Sequence, residues 1–128
     1  MNSETTSAKE VIELLGLTPL PEEGGYYKET FRSDQVIPDS VLPNHAGDRC
    51  TTTLIYYLVT PEEFSGLHRV VGSHEIFHFY AGDPVEMIQI TESGTLSRQA
   101  LGQSLQNEQV MQCVVEPGVW QGTRLLPG

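Results

Sequence analysis

Residues 65–82, SGLHRVVGSHEIFHFYAG, decide the fold of this chain. Three of the four histidines and one carboxylate, Glu75, lie on two runs rich in β-branched and aromatic residues, and Gly72-Ser73 separates the runs. Such runs favour strands. We predict strands at 67–71 and 75–80. Imidazoles and a carboxylate on adjacent strands are what a metal site or an acid–base pair requires.

Strand alternation sorts these residues by face. His68 shares a face with Val70, and Glu75 shares a face with Phe77 and Phe79. A carboxylate between two phenyl rings loses solvation, which raises its pKa unless a cation pairs with it. His68 and Glu75 are therefore the main candidates for chemistry, and the alternative is a hydrogen-bonded structural pair without a ligand.

The other two histidines of this segment do not fit the same site. His78 has the opposite parity to Glu75, so we expect it to point outward in a packing or subunit-interface role. His74 sits at the bend, where we expect it to be solvated. A metal triad of His68, His74 and His78 therefore fails on parity.

The chain begins with a helix signal. Ser7 and Glu10 form a capping-box pattern, the apolar run 11–15 follows, and Gly16 supplies a stop. We predict one short helix within an N-terminal arm, residues 1–15, and a single domain over 16–128.

The segment 22–32, EEGGYYKETFR, precedes the long strands. Its Gly-Gly pair predicts a turn or a close backbone approach, and 26–32 alternates as a strand does. One interpretation is an aromatic-rich strand packed on a sheet. The sharper one puts Tyr26, Tyr27 or Arg32 at the mouth of a pocket, although a surface ion pair explains Arg32 equally well.

Residues 33–48 predict a loop, with His45 as an exposed loop histidine, and 49–59 predicts one long strand. Thr53 and Tyr57 share one face of that strand and are candidates to line a cavity. The opposite register, with Thr52 and Tyr56 inward, is the alternative.

Further strands are predicted downstream, with turns between them, at 85–90, 95–101, 110–116 and from Trp120 onward. Seven or eight short strands with one helix in front predict an all-β sandwich or barrel.

The charge balance limits the partners. Seven basic against seventeen acidic residues give a net charge of −10, and no basic cluster offsets it. Nucleic acid and anionic membranes are therefore disfavoured. Cys50 and Cys113 form no CxxC pair and are expected to be buried free thiols. With no signal peptide and no long apolar run, we expect a cytoplasmic protein.

The motifs resemble those of a cupin. The first cupin motif places a glutamate after its histidines and a glycine after six more residues, which His68, Glu75 and Gly82 match in register. The place of the second motif, Pro-x-Gly-x-x-His, is occupied by Glu116-Pro-Gly118-Val-Trp-Gln121, with Gln121 where the family has a histidine. From about residue 16 onward, EGGYYKETFR, SHEIFHFYAGDP and EPGVWQGT are similar to cupin family 5, a branch of the RmlC-like jelly rolls.

The resemblance implies a double-stranded β-helix, the jelly-roll barrel, with His68 and Glu75 facing its interior. It also favours Gln121 inward and Trp120 in a packing role. The branch continues with a further strand pair, so the resemblance implies either missing C-terminal strands or a barrel closed by another subunit. A homodimer is the expected assembly.

Two departures bear on cofactors. Val70 and Gln121 replace two of the family's histidines. Since a first-row metal wants three or four strong ligands, no metal and no other cofactor is expected. A divalent ion held by His68, Glu75 and Gln121 is the alternative.

Three functions follow as hypotheses. The first is binding of a small polar ligand, such as a sugar, nucleotide or organic acid, in the barrel. The second is a metal-free sugar-nucleotide epimerase or isomerase with His68 as base and Glu75 holding the imidazole tautomer, since Gly-Leu-His at 66–68 looks like a segment of dTDP-sugar epimerases. The third is a residual metal-dependent cupin enzyme. The ligand-binding candidates are Gln121, Thr53, Tyr57, Phe77, Phe79, Arg32 and Tyr27.

Overall fold

A computed structural model describes residues 6–41 and 47–126 of the chain. His45 and the end of the predicted C-terminal turn, residues 127–128, lie outside the described residues.

The predicted N-terminal helix is confirmed. Helix α1 spans Ala8–Leu15, and the capping box is complete: the Glu10 amide donates to Ser7 Oγ at 3.2 Å and the Ser7 amide to Glu10 Oε1 at 3.2 Å. Gly16 ends the helix in the left-handed conformation, with φ 68°. In the described part of the chain, no helix has the length and apolarity that crossing a membrane requires.

The rest of the described chain is mainly β-structure, with two short 3₁₀ helices at Asp39–Val41 and Leu105–Asn107. It contains eight strands of four or more residues, joined by short turns and accompanied by three strands of two residues. The strands are β1 (Thr18–Pro19), β2 (Tyr26–Arg32), β3 (Val36–Ile37), β4 (Arg49–Cys50), β5 (Thr53–Leu58), β6 (Ser65–Arg69), β7 (Glu75–His78), β8 (Val85–Ile90), β9 (Leu96–Leu101), β10 (Gln112–Val115) and β11 (Trp120–Leu125).

Every strand ladder is antiparallel. The strand orders are β6-β11-β8-β9, β1-β2-β5, β10-β7 and β3-β4. Neighbours that are distant in sequence, such as β6 with β11 and β7 with β10, are typical of the predicted jelly roll. The expected all-β barrel with one helix in front is confirmed.

Two predictions about residues 33–59 are wrong. The single strand over 49–59 is divided into β4 and β5, and β3 lies inside the segment predicted as a loop. The division follows from pairing: the Ser33 amide donates to the Thr52 carbonyl and the Thr51 amide to the Gln35 carbonyl, both outside a regular ladder. β-Propensity alone does not report where the partner strand ends.

A small apolar core fills part of the barrel. Met87, Leu101 and Val115 are almost completely buried, and Phe77 and Phe79 are among the half-buried side chains that pack against them. We call these five residues the apolar core. It leaves the interior around β5, β6 and the start of β7 to polar side chains.

Candidate functional site

A register shift in β6 aims two polar side chains inward. On the paired strand β11, Gln121 lies opposite His68 and Thr123 opposite Ser65, so β6 has one residue more than its partner. Because of this bulge, Ser65 and His68 share the interior face although they are three residues apart. The extra residue also turns the Gly66 carbonyl toward the imidazole, 2.8 Å from His68 Nδ1.

The Gly66 carbonyl sets the tautomer of His68. A carbonyl oxygen only accepts, so Nδ1 carries a proton and, in the neutral ring, Nε2 keeps its lone pair. The prediction that Glu75 holds the tautomer is therefore wrong. Nε2 lies 3.7 Å from Glu23 Oε2, and the imidazole side chain is 20% exposed.

Glu23 was not among the sequence candidates. It lies in the turn before β2, where Glu22 has φ 70° and the Gly66 amide donates to the Glu23 carbonyl at 2.8 Å. This backbone bond fixes Glu23 beside β6 and so beside His68. The Glu-Glu-Gly-Gly run was its only sequence signal, since paired glycines mark a close backbone approach.

Glu75 and Gln121 join the two sides of the barrel. Gln121 Nε2 donates to Glu75 Oε1 at 2.6 Å, and the Gln121 residue is only 1% exposed. Their strands, β11 and β7, belong to different sheets, so the bond crosses the interior. The prediction of Gln121 inward agrees with this placement.

Burial raises the pKa of the Glu75 carboxyl. The hydrogen bond from Gln121 and the nearby His68 ring act in the opposite direction, and the Glu23 carboxylate adds to the rise. Among the described residues no hydrogen bond joins His68 to Glu75 directly. The two groups share the interior and interact through space, and Gln121 is the direct partner of the carboxylate.

Tyr57 completes the group from β5. Its hydroxyl donates to the Gly24 carbonyl, next to Glu23. Gly25 makes this approach feasible, because a Cβ there would lie 2.5 Å from the Tyr57 hydroxyl oxygen. Burial raises the pKa of Tyr57; Ser65 opposes the rise, and the carboxylates of Glu23, Glu63 and Glu75 add to it.

We call His68, Glu75, Gln121, Tyr57 and Glu23 the polar cluster. The pair Tyr27 and Tyr57 stand opposite each other on β2 and β5, so the half-buried Tyr27 shares the inward face. Of the two registers considered for β5, the structure has the one with Tyr57 inward.

Thr53 and Arg32 do not reach the polar cluster. They are paired on the same face but lie four residues from Tyr57 along β5, which is about 13 Å. Thr53 is exposed, and Arg32 forms an ion pair with Glu29 at 2.7 Å. The surface ion pair is the interpretation that fits Arg32.

Phe77 and Phe79 lie on the inward face as predicted, but both belong to the apolar core, where they pack against its buried residues. Cys113 lies opposite Phe77 on β10. Its sulfur accepts a hydrogen bond from Gln89 Nε2 at 3.5 Å. Burial raises the pKa of the Cys113 thiol. Cys50 and Cys113 are free but only half-buried, where full burial was expected.

The remaining predictions concern three side chains on the outer surface: Trp120, His74 and His78. Trp120 is exposed and holds the Arg69 guanidinium 5.3 Å from its ring centroid. His74 is exposed, and His78 is exposed and stacked on Tyr80. These three aromatic rings lie away from the polar cluster.

The family's metal centre does not fit these residues. Val70 offers no donor, and the Gln121 amide is hydrogen-bonded to Glu75 through its nitrogen. Across residues 6–41 and 47–126 no group of three or more His, Cys, Asp or Glu side chains is arranged to hold a metal ion. The donor set is therefore too poor for a first-row metal.

Two concavities lie elsewhere on the molecule. One of about 930 Å³ is lined by Phe64, Asp83 and Arg124 among others, and one of about 330 Å³ by Leu67, Ile88 and Arg98 among others. Neither is lined by His68, Glu75 or Gln121. Arg98 and Arg124 in these linings share one carboxylate, that of Glu86.

The fold and the polar cluster define a class: β-barrels that carry a hydrogen-bonded polar site on their inner wall. Comparison with known proteins agrees. The profile of the family described as "Cupin superfamily (DUF985)", Cupin_5, matches residues 9–128. The chain belongs to this cupin family.

Known relatives share the fold without assigning a function. An uncharacterised yeast protein, YML079W of Saccharomyces cerevisiae, is 32% identical over 113 residues, covering 82% of this chain and 55% of the yeast protein. The chain thus spans about half the length of that curated relative.

Two solved structures are similar as well. A hypothetical protein from Leishmania major has a TM-score of 0.85 at 30% identity, covering 96% of this chain and 73% of that one. Protein SO0799 from Shewanella oneidensis has a TM-score of 0.83 at 27% identity, covering 96% and 72%.

Proposed function

We propose that this cupin binds a small polar ligand at the polar cluster without a tightly held metal. The observation that carries the proposal is the Gln121–Glu75 bond across the interior, beside an imidazole whose Nε2 faces the site. Burying these groups costs stability that apolar side chains would not cost. A ligand-binding role would explain why the chain keeps these polar groups buried.

A hydroxyl without a partner lies beside the polar cluster, in the lining of the concavity of about 330 Å³. Thr123 is 6% exposed and lies two residues from Gln121 on β11, and its Oγ1 has no hydrogen-bond partner in the described structure. Buried hydroxyls nearly always have a partner. A bound ligand or an ordered water would supply one.

A ligand screen tests this proposal. Protein stripped with EDTA is heated with sugars, nucleotides and organic acids, and a ligand at a hundred times its Kd adds about 2.7 kcal/mol to the free energy of unfolding. The stabilisation should disappear in His68→Ala and persist in His78→Ala, whose ring stacks on Tyr80. A screen without a His68-dependent binder contradicts the proposal.

A second candidate is metal-free isomerisation. It is favoured by the free Nε2 of His68 and by the Tyr57 hydroxyl in the same cluster; no sequence motif had marked this tyrosine as an acid. In this reaction Nε2 takes a proton from the carbon next to a carbonyl, and the Tyr57 hydroxyl, turned away from the Gly24 carbonyl, protonates the resulting enolate. Its signature is deuterium uptake from D₂O into a keto-sugar nucleotide, lost in His68→Ala. A substrate that binds and gains no deuterium rules out isomerisation of that substrate.

We further propose a homodimer in the cytoplasm. Ile76 and Val114 stand opposite each other on the outer face of β7 and β10 and are 62% and 52% exposed, which supports a protein contact there. The free thiols of Cys50 and Cys113 suit a reducing compartment. Light scattering should give a dimer mass that Ile76→Asp halves and Leu14→Asp, on the helix, leaves unchanged; a monomer mass for the wild type contradicts the dimer.

A further inference from the structure

Three donor groups of the polar cluster are engaged within the protein. The Tyr57 hydroxyl donates to the Gly24 carbonyl, and His68 Nδ1 donates to the Gly66 carbonyl. The amide nitrogen of Gln121 donates to Glu75. The second N–H of the Gln121 amide is the donor that this bond leaves for a ligand.

Acceptors remain available in the same place. The Glu23 carboxylate accepts no side-chain hydrogen bond among the described residues, and its side chain is 42% exposed beside His68 Nε2. Only one oxygen of Glu75 is engaged, by Gln121. The site thus offers carboxylate oxygens as acceptors, which complement a ligand that carries N–H or O–H groups.

No permanently cationic side chain offsets these carboxylates. Arg32 is bound to Glu29, Arg69 lies over Trp120 on the outside, and Arg98 and Arg124 are bound to Glu86. Lys28 is paired with Tyr56, on the face of β2 and β5 opposite to Tyr27 and Tyr57. The other two basic residues, Lys9 in α1 and Arg49 in β4, are exposed on elements outside the cluster.

The raised pKa of Tyr57 is consistent with a negative potential at the site. After burial, three of its causes are the carboxylates of Glu23, Glu63 and Glu75. A phosphate or carboxylate placed among these groups would be repelled in a partly desolvated setting, where charge interactions are stronger than in water.

From the half-exposed Glu23 carboxylate, the free oxygen of Glu75 and the distant arginines we infer that the ligand bears a protonated amine, such as that of an amino sugar. This inference rests on the proposed binding function and narrows its ligand class. It disfavours the nucleotides and organic acids that the family resemblance left open. Glu23 is the group that selects the positive charge.

Two matched probe series test the inference. Glucosamine, glucose and glucuronate vary the charge on one hexose, and 4-aminobutanol, 1,4-butanediol and 4-hydroxybutyrate vary it on an open chain. Calorimetric titration of EDTA-treated protein should rank the amine first and the anion last within a series. A half-exposed ion pair contributes up to about 1 kcal/mol, so the amine should bind about fivefold more tightly than the neutral probe.

Variants separate the charge effect from binding itself. Glu23→Gln should abolish the preference for the amine over the neutral probe, and Glu62→Gln, an exposed carboxylate in the turn before β6, should keep the preference. Added salt should weaken amine binding more than neutral binding.

The outcomes are distinguishable. His68-dependent binding that favours the anion, or an amine preference that survives Glu23→Gln, overturns the inference and leaves the binding function standing. Failure of all six probes to bind, or binding unaffected by His68→Ala, overturns both.

Discussion

The apolar core and the polar cluster occupy the same barrel and share strand β7, but they depend on different kinds of contact. In the apolar core, Met87, Leu101 and Val115 exclude water and contribute stability through contact area. In the polar cluster, each buried group needs a specific partner at a specific distance, such as Gln121 for Glu75. The apolar core therefore accepts apolar side chains of suitable volume, whereas the polar cluster depends on particular donor and acceptor atoms.

The largest effect on stability is expected from a substitution in the apolar core. Met87 is 0% exposed, so Met87→Ala should lower the free energy of unfolding by about 2–5 kcal/mol through lost contacts and a cavity. Urea denaturation measures the change. Met111→Ala is the control, because Met111 is 46% exposed and should cost no more than about 0.5 kcal/mol. Similar losses for both methionines would show that the core has been misplaced.

A glycine substitution tests how the polar cluster is built. Gly25 has φ 79° and its Cβ would collide with the Tyr57 hydroxyl and the Leu58 carbonyl, so Gly25→Ala should cost about 2–4 kcal/mol. Gly94 also has a positive φ, 88°, but a Cβ there meets nothing within 4 Å. Gly94→Ala should therefore show only the backbone strain, about 1–2 kcal/mol. Equal costs would mean that Tyr57 does not approach Gly25.

Removing the amide of Gln121 should expose the dependence on exact partners. Gln121→Leu keeps much of the volume but leaves the buried Glu75 carboxylate without its donor, at a cost of about 1–3 kcal/mol. Gln112→Leu, an exposed glutamine on β10, should change stability by no more than about 0.5 kcal/mol. If the Gln121→Leu cost is unchanged in a Glu75→Ala background, the two side chains do not interact.

The smallest effect concerns pH. Because burial raises the pKa of Glu75, its ionisation disfavours the folded state: the stabilisation is present at low pH and is lost as pH rises through the folded pKa. Glu75→Gln, which still accepts from Gln121, should therefore raise Tm slightly at pH 7 and lose that advantage toward pH 4. Calorimetry at both pH values checks this, with Glu62→Gln as control. If the stability of Glu75→Gln relative to wild type is lower at pH 7 than at pH 4, the predicted direction of the pH dependence is wrong.

The sequence predicted the parts that depend on periodicity. Alternation placed Glu75, Phe77 and Phe79 on one face and His78 on the other, and the capping residues marked both ends of α1. Family register added Gln121 inward. These features are local, so neighbouring residues suffice to determine them.

Long-range features were not predictable in the same way. The bulge that brings Ser65 inward depends on β11, more than fifty residues away, and the position of Glu23 depends on a backbone bond to Gly66. The tautomer of His68 follows from that bulge rather than from Glu75. The break before Thr53 likewise reflects the end of its partner strand.

The most direct test of the central claim is the ¹⁵N signal of the histidine rings. In uniformly labelled, metal-free protein at neutral pH, long-range ¹H–¹⁵N spectra should show the neutral His68 ring population protonated at Nδ1, because the Gly66 carbonyl accepts that proton. Adding glucosamine should shift the Nε2 signal of His68 and leave His74 and His78 unchanged. A His68 ring protonated at Nε2, or shifts confined to the exposed histidines, would contradict a ligand site at the polar cluster.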